Sequence, residues 1–297
     1  MGNNENIKNG EILFIYEAKV TNPNGDINDE NRPRMDYKTE TNLVSDVRLK
    51  RYIRDYFSDK NEMIFVNRGR VSTADERLLE ASGNDKEIRK DMEKAKDFVK
   101  KFLDIRLFGS MIPIQKPKSG DNQESNENGN SIKIVGPVQF TWGYSLNKVE
   151  LLNSYSINGA FLSSSGKKNS TIGKDYRLYY SLIAFYGLIN SKRAEKSGLT
   201  NDDLIKFDDA MINSIPEQAS RSKIGQKPLF YLRTSSDSKY IGDLRDYIKV
   251  ITKKEPIRNE SDYSIDTNDL KRVLTEQNIA KEKVWADKML DLENFDL

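Results

Sequence analysis

The order of apolar patterns along the chain restricts its fold more than any other feature of the sequence. Residues 11–20 (EILFIYEAKV) carry an apolar side chain at every second position, which predicts a first β-strand. From 43 to 57 the spacing becomes helical, with apolar residues on one arc and four cations on the other: Arg48, Lys50, Arg51 and Arg54. We therefore predict a strand followed by a helix with one apolar and one basic side.

Strand and helix patterns then recur in a definite succession. Strand patterns lie at 132–146, 155–162 and 175–190, a helix begins at Thr200 and ends near 215, and a last strand lies at 228–234. Without the segments between them, the order is strand, basic helix, strands, helix and strand. This is the order of a ferredoxin-like or RRM-like unit, an α+β fold whose sheet commonly handles single-stranded RNA.

The remaining segments predict how the chain is divided. We expect an RRM-like unit formed by 8–58 and 132–252, an inserted helical region at 59–131 and a C-terminal helical tail at 253–297. Within the insertion, the sequence predicts a short strand at MIFVN (63–67), a charged helix over about 86–103 and a flexible loop at 116–131. Just before the tail it predicts a strand at 246–252, and within the tail it predicts helices over about 266–277 and 281–290.

The chain contains neither cysteine nor histidine among its 297 residues. This excludes zinc sites and triads that use a histidine base, so any chemistry would depend on carboxylates, Lys, Tyr or an oxygen-liganded cation. There is no signal-peptide pattern, and the longest apolar run, 179–189, is too short to span a bilayer. We expect a cytoplasmic protein without a membrane partner.

The net charge of only +2 does not by itself indicate a polyanionic partner, but the distribution of charge does. Three segments are basic and poor in acids, at 48–54, 163–174 and 220–233. Each one alone fits a solvated face. Together, on one small fold, their Arg, Lys, Ser, Asn and Gly residues favour a grip on a nucleic-acid backbone that does not read its bases.

The loop after the first strand, VTNPNGDINDENRPRMDY at 20–37, allows two interpretations; we call it the opening loop. Its NPNGD segment is a turn signature, because Pro23 fixes φ and Gly25 can take a positive φ. Alternatively, its oxygen-bearing side chains could hold a cation, although their spacing does not match an EF-hand. These side chains belong to Asn22, Asn24, Asp26, Asn28 and Glu30.

Two further patterns are open to more than one interpretation. Five aromatic residues could form a base-stacking platform or simply the core of a sheet: Tyr176, Tyr179, Tyr180, Phe185 and Tyr186. The glycine-containing runs SSSGKK and RSKIGQK could suggest a phosphate loop. Neither run matches the P-loop motif, which disfavours an NTPase.

Four segments, taken together, resemble a known family. They are NPNGDINDENRPRMDYKTETNLVSDVRLKRYIRDYF, GPVQFTWGYSLNKV, LTNDDLIKFDDAM and SRSKIGQKP. They closely resemble the CRISPR-associated Cascade backbone subunit of type I-B and I-C systems, the RAMP-superfamily protein of the seventh Cas family, over about 11–235. The resemblance implies an RRM-like palm, a helical insertion and a β-hairpin thumb at about 156–173.

The resemblance also implies a function and partners. Such a protein is non-catalytic, needs no cofactor or metal, and polymerises head to tail along a CRISPR RNA (crRNA). It presents the guide for pairing with target DNA, in an R-loop, for antiviral defence. Its other partners would be the remaining Cascade subunits, namely the 5′-handle subunit, the large and small subunits and the crRNA endonuclease.

The residues that match the family's motifs are the expected RNA contacts. Asn22, Asn24 and Asp26 are expected to shape the opening loop through Asx-type hydrogen bonds. The helix signature falls on Ser45, Leu49, Lys50 and Arg54. The expected RNA-binding residues are Arg32, Arg34, Ser45, Arg48, Lys50, Arg51, Arg54, Lys167, Lys168, Arg221, Ser222, Lys223 and Gln226.

Two alternatives come from other classes of protein. In type III relatives an aspartate in the corresponding loop cuts target RNA with a metal, and Asp26, Asp29 or Asp36 could occupy that place. The chain would then be a metal-dependent ribonuclease. A stand-alone, sequence-specific RRM protein is the third possibility, and it predicts a monomer.

Overall fold

The computed structural model describes residues 6–67, 73–89, 91–114, 131–153, 156–162, 170–237 and 239–293. Its strands are β1 Gly10–Thr21, β2 Gly25–Asp26, β3 Arg32–Pro33, β4 Met35–Asp36, β5 Thr41–Val44, β6 Gly109–Pro113, β7 Ser131–Val135, β8 Val138–Phe140, β9 Gly143–Ser145, β10 Ser156–Leu162, β11 Ser170–Lys174, β12 Leu178–Ile189, β13 Gln226–Ser235, β14 Lys249–Thr252, β15 Tyr263–Asp266, β16 Ala280–Ala286 and β17 Leu292–Glu293. Its α-helices are α1 Asp46–Asp59, α2 Ala74–Ala81, α3 Met92–Val99, α4 Leu103–Phe108, α5 Ser191–Ser197, α6 Asn201–Glu217 and α7 Asn268–Glu276.

A large antiparallel sheet organises this mixed α/β fold. Its strands follow the order β16–β13–β1–β12–β9–β5–β4, and β8 also pairs with β12. The predicted first strand is present as β1, and the predicted helices at 43–57 and 200–215 are present as α1 and α6, with slightly shifted ends. In the part of the chain that is described, no helix is long and apolar enough to cross a bilayer.

The central strand β1 is buried on both of its faces. Phe14 and Tyr16 pack with α1 and α6 on the first face, while Leu13 and Ile15 pack with residues 244–293, the C-terminal unit, on the second. A strand between two layers carries apolar residues on both sides, which explains why EILFIYEAKV is apolar beyond its alternation. The sheet therefore has no open face at its centre.

This two-sided cover decides between the two interpretations of the aromatic cluster. Tyr180 and Phe185 are fully buried, and Tyr186 is buried beside Glu11, to which its hydroxyl donates a hydrogen bond of 2.6 Å. Tyr179 lies beneath the guanidinium of Arg258, 4.1 Å from its ring centroid. Tyr176, Tyr180, Phe185 and Tyr186 are therefore buried, which favours the core interpretation over a base-stacking platform, whereas Tyr179 is half-buried.

The C-terminal unit corrects the prediction of a helical tail. Residues 281–290 are not a helix; strand β16 lies there and pairs with β13, with Leu232 opposite Val284 and Tyr231 opposite Trp285. The free edge of β13 offers backbone hydrogen bonds that a local pattern cannot reveal. The other predicted elements are present in part, as β14 and α7.

The inserted region has a hydrophobic cluster of its own, built by α2, α3, α4, β6 and β7. The predicted strand at 63–67 is wrong, because the backbone N–H groups of Phe65 and Val66 donate to the Asp104 carboxylate instead of to a strand. The single helix predicted over about 86–103 is also wrong, because this segment is not one continuous helix. Asp91 accepts hydrogen bonds from the N–H groups of Glu93 and Lys94 and thereby begins α3 anew.

A buried carboxyl under the C-terminal unit makes stability depend on pH. Burial raises the pKa of Glu17 from 4.5 to about 7, and Glu260 adds to the rise, although the Tyr180 hydroxyl and Lys227 oppose it. Because the folded pKa is the higher one, this contribution to stability is complete below about pH 4.5 and is lost as pH rises to about 7.

We expect Glu17→Gln, which stays neutral, to be more stable than the parent at pH 8, by about 1–3 kcal/mol, and equally stable near pH 4.5. Urea unfolding at both pH values measures the difference. Glu93→Gln, at an exposed position, is the matched control. An equal difference at the two pH values would contradict the prediction.

Candidate nucleic-acid interface

The opening loop contains the short hairpin β2–β3 and the first strand of a second hairpin, β4–β5, and it is fastened to the start of α1. The Asn24 side-chain oxygen accepts hydrogen bonds from both the backbone N–H (2.8 Å) and the hydroxyl (2.9 Å) of Ser45, the residue before the helix. The Asn22 amide donates to the carbonyl of Asn31 at 2.7 Å, and Asp26 accepts from the N–H of Asn28 at 3.1 Å. The three loop side chains hold the turns in shape by these contacts.

Residues 220–226, the basic turn, dock against the same place. The N–H of Asn22 and the hydroxyl of Thr21 both donate to the carbonyl of Ser222, at 3.1 and 2.6 Å. Gly225 has a φ of +95°, and a Cβ there would lie 2.4 Å from the Lys19 carbonyl oxygen, so only glycine fits. Two of the basic segments predicted from the sequence are thus brought together.

Arg48 of α1 and Lys223 of the basic turn are near enough to affect each other electrostatically. The Lys223 ammonium donates to the carbonyl of Asn22, and its burial, with the nearby Arg48 guanidinium, lowers its pKa to about 7. Arg48 lies over the ring of Tyr52, 3.9 Å from its centroid, and its buried Nε has no hydrogen-bond partner. Among the described residues, neither cation has a carboxylate partner. We call Arg48 and Lys223 the cation pair.

Three of the predicted helix cations are neutralised within the molecule. Lys50 Nζ lies 3.0 Å from Asp46, Arg51 lies 2.9 Å from Asp55, and Arg54 lies 3.1 Å from the buried Asp104. Lys50 is only 8% exposed and its ammonium also donates to the Gln139 side-chain oxygen at 3.4 Å, so little of this side chain is open to solvent. RNA contacts by these three residues stay predictions, but their charges already have partners.

Two other predicted contacts lie inside the protein. Ser45 is buried beneath Asn24, and Gln226 is buried and accepts a hydrogen bond of 3.1 Å from the Tyr52 hydroxyl. A direct RNA contact would require either side chain to leave this packing. The Gln226 amide nitrogen and the Asn22 side-chain oxygen are themselves buried without a hydrogen-bond partner.

The other arginines that we predicted to contact RNA, Arg32, Arg34 and Arg221, lie at the rim formed by the opening loop and the basic turn, and acids hold them. Arg34 Nη1 lies 2.8 Å from Asp26, and Arg221 lies 2.6 Å from Asp175 and is 64% exposed. Arg32 contacts Asp29 and Glu30 and lies over the Tyr176 ring, 4.6 Å from its centroid. The carboxylates fix the positions of these guanidiniums and also neutralise part of their positive charge.

Sequence reasoning missed one organising pair, Asp175 and Arg177. Although burial raises the pKa of Asp175, the guanidiniums of Arg177 and Arg221 bring it below the usual value. Arg177 also donates to the carbonyls of Val20 and Arg221, so it joins the opening loop to the basic turn. The charged DYR triplet before β12 was the only local signal.

The predicted thumb is described only at its base. Strands β10 and β11 pair antiparallel, with Ser156 opposite Lys174. Lys167 and Lys168 lie outside the described residues. The thumb and its lysines therefore stay predictions.

The acids considered for metal-dependent cleavage have other partners. Asp26 holds Arg34, Asp29 contacts Arg32, and Asp36 accepts from the Thr39 hydroxyl, which lowers its pKa. Within the described ranges, no three acidic side chains form a group that could hold a metal ion.

Comparisons with known proteins place these features beside one family. The family model of CRISPR-associated protein Cas7 matches residues 8–268. A CRISPR-associated protein Cas7 of Haloferax volcanii is 30% identical over 283 residues, covering 90% of this chain and 83% of the relative. A solved CRISPR RNA-guided surveillance complex, pre-nicking, contains a chain with a TM-score of 0.45 and 14% identity, covering 80% of this chain and 79% of that one. A second CRISPR RNA-guided surveillance complex has a TM-score of 0.40 and 14% identity, covering 79% and 72%.

Proposed function

Since the chain belongs to the CRISPR-associated protein Cas7 family, we propose that it is the crRNA-binding backbone subunit of a type I Cascade surveillance complex. The observation that carries the proposal is the cation pair. Arg48 and Lys223 lie close together without a carboxylate partner among the described residues, and their repulsion contributes to the lowered pKa of Lys223. A phosphate that contacts both cations would relieve this repulsion.

Contacts to phosphate suit a carrier of guide RNA. They fix the position of a strand but do not read its bases, so one protein can accept guides of any sequence. The rim arginines Arg32, Arg34 and Arg221 would extend the grip along the backbone. Each can exchange its carboxylate for a phosphate at little cost, because its present ion pair is partly exposed.

We assign the RRM-like palm to the unit β1, α1, β8 and β9, β12, α6 and β13. These elements follow one another as in a ferredoxin-like unit, and α1 and α6 share one face of the sheet. Because the C-terminal unit covers the other face, the RNA would run along the loops at the end of β1 instead of across the sheet.

The proposal includes the assembly. Copies would stack head to tail on the guide, with the β10–β11 hairpin as the thumb, and would leave guide bases free to pair with target DNA in an R-loop. The other Cascade subunits would join this filament. The chain would be non-catalytic, and the type I-B or I-C subtype is part of the same proposal.

Light scattering coupled to size-exclusion chromatography tests the assembly, with A260/A280 recorded before and after nuclease treatment. We expect a large, RNA-bearing oligomer that falls to monomers after nuclease. A monomer free of nucleic acid in both runs would contradict the proposal.

Incubation with RNA and Mg²⁺ or Mn²⁺ tests the non-catalytic part. We expect no cleavage. Asp36→Ala is the informative variant, because Asp26→Ala would also release Arg34 from its ion pair. Cleavage by the parent that disappears in Asp36→Ala would instead indicate the metal-dependent ribonuclease.

The lowered pKa of Lys223 predicts that RNA binding depends on pH. A bound phosphate would raise this pKa above about 7, so binding takes up a proton, and affinity should fall by up to about tenfold per pH unit above pH 7. Lys223→Arg stays charged and should lose this dependence. Anisotropy of labelled RNA between pH 6.5 and 9 measures both proteins; identical profiles would contradict the prediction.

A further inference from the structure

Trp142 is a large aromatic side chain that the fold holds rigidly but leaves in solvent. It precedes β9 and is 47% exposed. Its carbonyl accepts hydrogen bonds from the buried Arg245 at 2.9 Å and from the hydroxyl of Thr141 at 3.2 Å. At the next residue, Gly143, a Cβ would lie 2.6 Å from the Phe185 ring, so the backbone is pressed against the core. The ring is thus presented from a fixed base.

Trp142 lies near the start of α1 and near Arg34 of the opening loop. Strands β5 and β9 pair Val44 with Gly143, so the next two residues in that register are Ser45, at the start of α1, and Trp142. The Arg34 guanidinium lies 5.8 Å from the centroid of the Trp142 ring, and its Nε has no hydrogen-bond partner. An exposed indole with a guanidinium over its ring lies at the edge of the proposed RNA path.

We propose that Trp142 is a base-stacking site: one unpaired nucleobase of the bound RNA stacks on the face of the indole that the Arg34 guanidinium does not cover. This inference rests on the RNA-binding function proposed above and adds a contact to a base that the cation pair cannot supply. Aromatic stacking tolerates every base, because each has a π face, so it is compatible with guides of any sequence. A protein partner is the competing occupant, because Trp and Arg are also common in protein interfaces.

Tryptophan fluorescence provides a direct test, because the chain has two tryptophans and the other, Trp285, packs partly buried against the core. The full chain is titrated with unlabelled single-stranded RNA, and binding is measured separately by anisotropy of labelled RNA. We expect RNA to quench the parent and Trp285→Phe, and to quench Trp142→Phe very little. Trp142→Ala should bind roughly 5- to 150-fold more weakly, and Trp142→Phe should stay close to the parent.

An abasic oligonucleotide of the same length separates stacking from charge. It offers the same phosphates, so it should bind weakly to the cations and leave Trp142 fluorescence unchanged. Normal binding by anisotropy, with quenching absent or located at Trp285, would overturn the stacking site and leave the RNA-binding function standing. If Trp142 fluorescence falls as the protein concentration rises in the absence of RNA, Trp142 lies in a protein–protein contact instead. Absence of RNA binding in every assay would overturn both proposals.

Discussion

Replacing Arg48 and Lys223 together with alanine should weaken binding of single-stranded RNA by roughly 100-fold at moderate salt. A hydrogen bond to a charged group contributes about 1.5 kcal/mol or more, which is about tenfold for each cation. Neither residue has a carboxylate to displace among the described residues, so Arg48 offers its full charge to a phosphate, and Lys223, whose pKa is about 7, becomes fully charged when the phosphate binds. We expect each single variant to show about half of the effect on a logarithmic scale.

The dependence on salt gives a second measurement of the same contact. A phosphate contact on a single strand releases about 0.7 counterions, so the double variant should lower the slope of log affinity against log salt by about 1.4. Labelled RNA titrated at several KCl concentrations provides the slope. The loss should be uniform across RNA sequences, because phosphate contacts do not read bases.

Lys249→Ala with Arg272→Ala is the matched control. Both residues pair with Asp269 in the C-terminal unit, and their replacement changes the net charge from +2 to 0, as in the test variant. If the two double variants weaken binding equally, general charge is responsible and the cation pair is not the binding site. The same conclusion would follow from a loss confined to particular RNA sequences.

The parts of this site that depend on residues close together in the sequence could be predicted, and the contacts between distant residues could not. The opening loop, α1 and the basic turn follow local patterns and were predictable as elements. Two of the ion pairs on α1, Lys50 with Asp46 and Arg51 with Asp55, have the spacing of four residues that sequence reveals. From these two pairs alone, the sequence already indicates that the basic side of α1 carries less unpaired positive charge than its four cations suggest.

The decisive contacts join residues that are far apart. Most strands of the sheet lie between Arg48 and Lys223 in the sequence, and only the sheet topology brings the two residues near each other. The edge strand β16 was not predicted for the same reason. The alternation in AKEKVWA is weak, and pairing with β13 decides its conformation. Charge patterns identify candidate segments, but only the fold shows which cations keep a free charge.

Asp104→Ala should be the most destabilising single substitution proposed for this chain. Its buried carboxylate accepts from the N–H groups of Phe65 and Val66, at 2.8 and 3.1 Å, and pairs with Arg54. Removal leaves these donors and a mostly buried guanidinium without their partner, at a cost of about 3–5 kcal/mol. For a chain of 297 residues this corresponds to a fall in Tm of about 5–8 °C.

Thermal unfolding followed by circular dichroism measures the change. Asp97→Ala is the control, because Asp97 also lies in the inserted region and pairs with Lys100, but its side chain is 76% exposed. It should shift Tm by less than about 1 °C, as expected for a surface ion pair. Equal shifts for the two variants would mean that Asp104 does not fasten the insertion to α1.

Replacing both Arg54 and Asp104 tests whether Arg54 serves only as the partner of Asp104 or also contacts RNA. Arg54→Met combined with Asp104→Leu removes both charges, so no buried guanidinium is left without its partner, although the N–H groups of Phe65 and Val66 still lose their acceptor. If Arg54 serves only Asp104, the double variant should bind RNA with the parent's affinity and salt slope. A slope lower by about 0.7, with the fold intact, would show that Arg54 also contacts a phosphate and would restore it to the binding surface.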